Sequence, residues 1–267
     1  MAFFGRSFIW DGTPSELYGL YIASIDSDAV NASMGSSSME IVEKKIFRRP
    51  APYFLGATPS PKLQFEMSAF SENEIDASAF EEIQKFLFSS RSYKRLQVDQ
   101  PDMQNIYFNC ILNDPKIQRI GGLIFGLSFT VTCDSPYAYK FPLITAYNYT
   151  ASVVDSTETF YNMSDDDGSY LLPNEIVITI NNEGGDVSVT NLDDGSRVMN
   201  FTNLQPNEVL TISSLYQTIE SSTDLKRMGN FNKKFLRLVP NRNRLRIQGN
   251  LSSFVMTNTF IAKKIGG

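Results

Sequence analysis

Apolar residues recur at every second position along most of this chain, and at helical spacing in one stretch. The segment KLQFEMSAF places Phe65 and Met67 on one side and polar residues on the other, which is the pattern of a strand with one buried face. In the stretch 75–88 the spacing becomes helical, with Asp76 or Ser78 able to cap the helix start. The chain is therefore predicted to be mainly β, with one substantial helix.

The two halves of the chain differ in this pattern. Residues 150–267 contain only short alternating segments separated by turns about 8–12 residues apart, which is typical of a sandwich or barrel. A length of 267 residues leaves room for one large domain or two ordinary ones. We predict an N-terminal β-barrel or β-sandwich domain with one helix at residues 1–138, and a C-terminal β domain, a sandwich or a barrel, at 139–267.

The segment VTCDSPYAY lies where the pattern changes. A strand ends there, proline stiffens the chain, and tyrosines follow. The domain junction is therefore predicted at Asp134, Ser135, Pro136 and Tyr137.

Charge and hydropathy exclude several classes of protein. The chain has 24 Lys+Arg against 29 Asp+Glu, a net charge of −5, which argues against sequence-specific binding of nucleic acid. No apolar run approaches the roughly 20 residues that span a membrane, so no membrane insertion is expected. The N-terminal segment lacks the features of a signal peptide, and synthesis in a cytoplasm is expected.

Residue types restrict the chemistry further. The chain has no histidine, which excludes Ser-His-Asp and Cys-His catalysis and most zinc sites. Cys110 and Cys133 lie in apolar strand-like runs and are predicted to be buried thiols, with a disulfide as the alternative. The acidic run 165–167 could serve glycoside hydrolysis or part of a calcium loop, but the expected glutamate is missing and a solvated turn is favoured. We expect no enzyme, no cofactor and no metal.

The predicted C-terminal domain is polarised in charge. Residues 139–225 hold 13 acids and two bases, whereas residues 226–267 hold ten bases and no acid. In one interpretation late strands pair with early ones, which brings basic and acidic side chains together. The bases concerned are Lys233, Lys234, Arg237, Arg244 and Arg246, and the acids are Asp165–Asp167, Asp193 and Asp194.

In the other interpretation an exposed arginine face docks a partner. Arg242, Arg244 and Arg246 alternate with apolar Leu245 and Ile247, so the arginines share one side of a strand. That face would dock an acidic neighbour, or anionic wall polymer as a second partner.

Five stretches of sequence follow one another in a recognisable order. They are FIWDGTPSELYGLYI, PYFLGATPSPKLQFEM, CDSPYAY, GDVSVTNLDDGSRVMNFTNLQPNEVLTIS and FLRLVPNRNRLRIQGN. In this order the chain resembles, over nearly its full length, the distal tail proteins (siphophage tail components) of long-tailed phages of Gram-positive bacteria. The last stretch corresponds to a Leu-x-Pro-Gly-x-Asn pattern of that family, with Arg242 placed at the glycine, so a different turn shape is expected.

The resemblance implies an architectural protein of the virion tail tip. Its N-terminal domain would form a hexameric ring that joins the tail tube protein to the tail-tip or baseplate proteins of host adsorption. Its C-terminal domain would be a galectin-like or carbohydrate-module-like sandwich. The alternative function is a carbohydrate-binding module that helps adhesion to host cell wall, with weak binding of wall saccharide.

Overall fold

The chain divides into two compact units. The computed structural model describes residues 6–22, 39–59, 62–101, 103–150, 154–166, 168, 170–223, 225–250 and 254–265. The first unit is Met1–Lys140 with Lys264–Gly267, and the second is Phe141–Lys263. Each unit has its own cluster of buried apolar side chains.

The first unit is built on an open antiparallel sheet. Its strands are β1 (Phe8–Trp10), β2 (Thr13–Pro14), β3 (Tyr21–Ile22), β4 (Met39–Lys44), β5 (Tyr53–Pro59), β6 (Gln64–Phe70), β7 (Lys94–Val98), β8 (Ile106–Ile120), β9 (Leu123–Cys133) and β10 (Ala138–Lys140). The sheet order is β2-β1-β7-β8-β9-β6-β3, and β10 pairs with β8. Because β2 and β3 lie at opposite ends of this order, the described strands do not close into the barrel that was one of the two predicted forms. Strands β4 and β5 form a separate two-stranded hairpin.

The helix and strands of the first unit follow the sequence pattern. Helix α1 (Ala77–Phe88) begins after Asp76, whose carboxylate accepts a hydrogen bond from the Ala79 N–H at 2.8 Å. Asp76 is therefore the cap, and the alternative cap Ser78 is wrong. On β6, Phe65 and Met67 are buried as the alternation predicts.

The second unit is a sandwich of two antiparallel sheets. Its strands are β11 (Leu143–Tyr149), β12 (Val154–Asn162), β13 (Glu175–Ile180), β14 (Gly185–Asn191), β15 (Arg197–Leu204), β16 (Val209–Ser213), β17 (Thr218–Ser221), β18 (Asn241–Gly249) and β19 (Phe254–Phe260). Strand β20 (Lys263–Lys264) comes later in the chain and is in neither sheet of the sandwich. The sheet orders are β11-β19-β13-β16-β17 and β12-β18-β14-β15. Side chains of both sheets share one apolar core, which confirms the predicted mainly β class and sandwich.

A buried ion pair stabilises one end of the sandwich. Glu208, before β16, is fully buried, and Arg227, in a short 3-10 helix, is 4% exposed. Arg227 donates from Nε to Glu208 Oε1 at 2.6 Å and from Nη2 to Oε2. The Gln205 N–H and the Ser221 hydroxyl donate to the same carboxylate. Burial by itself raises the pKa of Glu208, but these hydrogen bonds outweigh it and lower the pKa.

We predict that Glu208 makes the stability of the protein depend on pH in the acid range. A carboxyl with a lowered folded-state pKa stabilises the fold above its ordinary value of 4.5, and this contribution is lost as pH falls through the folded-state pKa. Glu208→Gln leaves Arg227 buried and unpaired, so it should lower the free energy of unfolding at pH 7 by about 3–5 kcal/mol. Tm measured between pH 7 and pH 3 should fall less steeply for this variant than for the wild type.

The matched control is Glu220→Gln, which removes an exposed carboxyl from neighbouring β17. It should change neither the Tm at pH 7 nor the steepness with which Tm falls between pH 7 and pH 3. Equal effects of the two substitutions would contradict the role given to the buried pair.

Candidate partner-docking surfaces

The three arginines of β18 lie on the outer face of the four-stranded sheet. Leu245 and Ile247 are fully buried on the inner side, while Arg242, Arg244 and Arg246 are exposed. The one-sided arginine row predicted from the alternation is therefore present. We refer to Arg242, Arg244 and Arg246 as the arginine row.

Two members of the arginine row are paired within the chain. Arg244 Nη2 lies 2.7 Å from Asp193 Oδ1, beyond the end of β14. Arg246 donates from Nε and Nη2 to the two carboxylate oxygens of Asp155 on β12, at 2.7 and 2.6 Å. Hydrogen bonds from these guanidinium groups lower the pKa of both carboxyls.

The pairing of late bases with early acids is thus confirmed for Arg244 with Asp193. It is also confirmed for Arg237, which donates to both oxygens of Asp194 at 2.6 and 2.9 Å. Arg246 pairs with Asp155, which was not among the acids predicted to meet the late bases.

Arg242 differs from the other two arginines, since it is in no ion pair among the residues that the structure describes. Its cross-strand neighbour on β12 is Tyr161, which is also exposed. Arg242 was expected to lie at the glycine position of the Leu-x-Pro-Gly-x-Asn pattern, and this expectation was wrong. The left-handed residue of the turn is Asn241, with φ of 66°. Asparagine tolerates this conformation, so Asn241 occupies the glycine position of the pattern.

We predict that the three arginines contribute unequally to stability. Arg244→Gln and Arg246→Gln should each lower Tm slightly at low ionic strength, since each breaks an exposed ion pair. The loss should disappear in 1 M salt, where the screening length is about 3 Å. Arg242→Gln is the matched control and should leave Tm unchanged at both ionic strengths. An equal, salt-insensitive loss for all three variants would contradict the assignment.

The predicted junction lies in the bend between β9 and β10. The Asp134 N–H donates to the Asn109 carbonyl at 2.9 Å, and the Ser135 carbonyl accepts from the Leu63 N–H at 3.0 Å. The Tyr139 hydroxyl donates to Ser135 Oγ at 2.7 Å. These bonds lie within the first unit, which continues through Pro136 and Tyr137 to Lys140. The role of Asp134–Tyr137 as a domain junction stays a prediction.

The remaining chemical candidates are accounted for by local structure. Asp166 accepts from Lys263 Nζ at 3.4 Å and from the Gly168 N–H, while Asp167 lies outside the described residues. Nowhere in the described ranges do three or more His, Cys, Asp or Glu side chains form a group that could hold a metal ion.

Cys110 and Cys133 are buried free thiols opposite each other on β8 and β9, as predicted. Burial raises the pKa of Cys133 to about 12, which keeps this thiol protonated and unreactive.

The exposed apolar surfaces of the first unit were not predicted from the sequence. The hairpin β4–β5, which we call the apolar arm, exposes Met39, Ile41, Val42, Tyr53, Phe54 and Leu55. The far ends of β8 and β9, which we call the β8–β9 tip, expose Ile117, Ile120 and Leu123. An isolated two-stranded hairpin is marginally stable in water, and exposed apolar patches mark interaction sites.

Two family models match the chain along nearly all of its length. "Phage tail protein N-terminal domain" matches residues 3–135, and "Phage tail C-terminal domain" matches residues 137–257. The chain belongs to this family of phage tail proteins. The protein is therefore a component of the virion tail.

A solved structure shows the same fold. It is the Dit protein of phage SPP1, described as a paradigm of the hub adsorption apparatus in phages that infect Gram-positive bacteria. The TM-score is 0.68 at 10% sequence identity, and the alignment covers 96% of this chain and 98% of that one. This tail protein therefore has a Dit-like fold.

No curated protein sequence matches the chain. Among the described helices, none has the length and apolarity needed to cross a membrane.

Proposed function

We propose that this tail protein is the distal tail hub, a hexameric ring that joins the tail tube to the tail-tip or baseplate apparatus of host adsorption. The observation that carries the proposal is the shared fold over 96% of the chain with a protein described as a hub. Its partners would be further copies of itself, the tail tube protein and the tail-tip proteins. It would be made in the host cytoplasm, act at the virion tail tip and catalyse no reaction.

The exposed surfaces of the first unit supply what a ring requires. A ring built by rotation has heterologous interfaces, so each copy must present two different surfaces that fit each other. The apolar arm and the β8–β9 tip are two different surfaces, separate in the fold, and each exposes apolar side chains. We propose that the apolar arm of one copy packs on the β8–β9 tip of the next copy.

This arrangement predicts the outcome of mixing two variants. Leu55→Lys places a charge on the apolar arm, and Ile120→Lys places one on the β8–β9 tip. Each variant alone should be monomeric by mass photometry, because every contact would bury an unpaired lysine. An equimolar mixture should form a heterodimer and stop there, since only the intact arm of one variant meets the intact tip of the other.

The matched control is Leu215→Lys, which adds the same charge at an exposed leucine of the second unit. This variant should form the same oligomer as the wild type. Complete rings from the mixture, or rings from either single variant, would show that the two surfaces do not pair as proposed.

We also propose that the two compact units are separate domains, which predicts two unfolding transitions by calorimetry. Leu127 and Leu210 are both buried, one in each unit. Leu127→Ala should lower the midpoint temperature of one transition, and Leu210→Ala should lower that of the other. Each substitution should reduce the free energy of unfolding of its own unit by about 2–5 kcal/mol. One transition that both substitutions shift equally would contradict separate domains.

The ion pairs within the chain affect which arginine of the arginine row is proposed to dock a partner. Arg244 and Arg246 already have acidic partners in the chain, whereas Arg242 lies beside exposed Tyr161. We propose that Arg242 is the member of the row that contacts an acidic neighbour in the tail. Arg242→Gln, which should keep its Tm, is the variant in which loss of that contact can be measured.

A further inference from the structure

A small cavity opens on the surface of the second unit. Its volume is about 330 Å³, at the lower end of the roughly 300–1,000 Å³ of ligand pockets. Four segments meet there: the chain before β13, the start of β15, the turn after β16, and the chain before β18. The side chains that define it are Tyr170, Arg197, Ser214, Lys233, Phe235 and Arg237.

Local alternation explains why cations and aromatic rings face this cavity. Leu236 and Leu238, in the segment before β18, are buried in the core, which leaves Phe235 and Arg237 on the opposite side. Lys233 reaches the cavity from a bend, where its φ is 60°. Leu238 and Leu171 exchange two backbone hydrogen bonds of 2.9 Å, which fixes the neighbouring chain beside this segment.

The cavity carries excess positive charge. Among the residues that the structure describes, its lining contains three cations and no carboxylate. Asp194 compensates Arg237 through two hydrogen bonds. Arg197 donates from Nε to the Phe235 carbonyl at 3.0 Å, and neither Arg197 nor Lys233 is in an ion pair within the described part of the chain. Two positive charges therefore remain for an anion from outside the chain.

Polar and aromatic groups complete the cavity. The Ser214 hydroxyl is buried and has no hydrogen-bond partner among the described residues. Such a group costs about 1–3 kcal/mol unless something satisfies it. Tyr170 and Phe235 add ring surface to the wall, and the Arg237 guanidinium lies over the Tyr170 ring, 4.0 Å from its centroid. Aromatic rings beside hydroxyl partners suit the apolar faces and hydroxyl groups of a sugar.

We infer that this cavity binds one sugar unit that carries an oxyanion, either a phosphate or a carboxylate. Arg197 and Lys233 hold the oxyanion, because guanidinium and ammonium groups make strong charge-assisted hydrogen bonds to it. Ser214 pairs with a sugar hydroxyl, and the ring lies against the aromatic wall. The binding is additional to the hub role and does not depend on ring formation.

Calorimetric titration of the full-length protein tests this site. The probes are glucose 1-phosphate, glucuronate, glucose and inorganic phosphate. The two charged sugars distinguish phosphate from carboxylate as the oxyanion, and at least one should bind. Glucose and inorganic phosphate should each bind about tenfold more weakly than that sugar, because each lacks one half of the recognised group.

Two lysine variants separate the site from general charge attraction. Lys233→Gln should weaken binding of the charged sugar about tenfold, whereas Lys234→Gln, the same change one residue along and outside the cavity, should leave it unchanged. Arg197→Gln should also weaken binding. Equal losses for Lys233→Gln and Lys234→Gln, binding of inorganic phosphate alone, or no saturable binding of either charged sugar would each overturn the inference.

Discussion

The second unit depends on the position of its last two long strands. Strand β18 lies between β12 and β14 in one sheet, and β19 lies between β11 and β13 in the other. Neither sheet is complete until the end of the chain has inserted into its interior. A shift of β18 by one residue would turn the arginine row into the apolar core and Leu245 and Ile247 out to water. The pattern of alternating arginine and apolar residues therefore specifies the register.

Charge segregation along the chain supports that register. The bases of the final segment meet acids from earlier strands, as in the pairs Arg246–Asp155 and Arg237–Asp194. Exposed pairs of this kind contribute little each, but they favour one alignment of the strands over others. The alternation before β18 likewise leaves Arg237 beside the small cavity, where Arg197 and Lys233 also lie. Three positive charges thus lie together at one place on the surface of the second unit.

Much of the fold could be predicted because it depends on local pattern. The cap at Asp76, the buried face of β6 and the exposed arginine row each follow from spacing within a few residues. The pair Arg246–Asp155 and the cavity could not be predicted, because each brings together segments far apart in sequence. The apolar arm was missed for another reason. Alternation of apolar residues indicates a strand with a face to bury, but not whether its own chain or another copy covers that face.

We propose that the protein assembles into a ring through the exposed apolar surfaces of its first unit. Cryo-electron microscopy of the purified full-length protein would show this assembly. We expect a closed six-membered ring in which the apolar arm of each copy packs on the β8–β9 tip of the next. A ring closed through contacts of the second unit, with the apolar arm exposed to solvent, would contradict it.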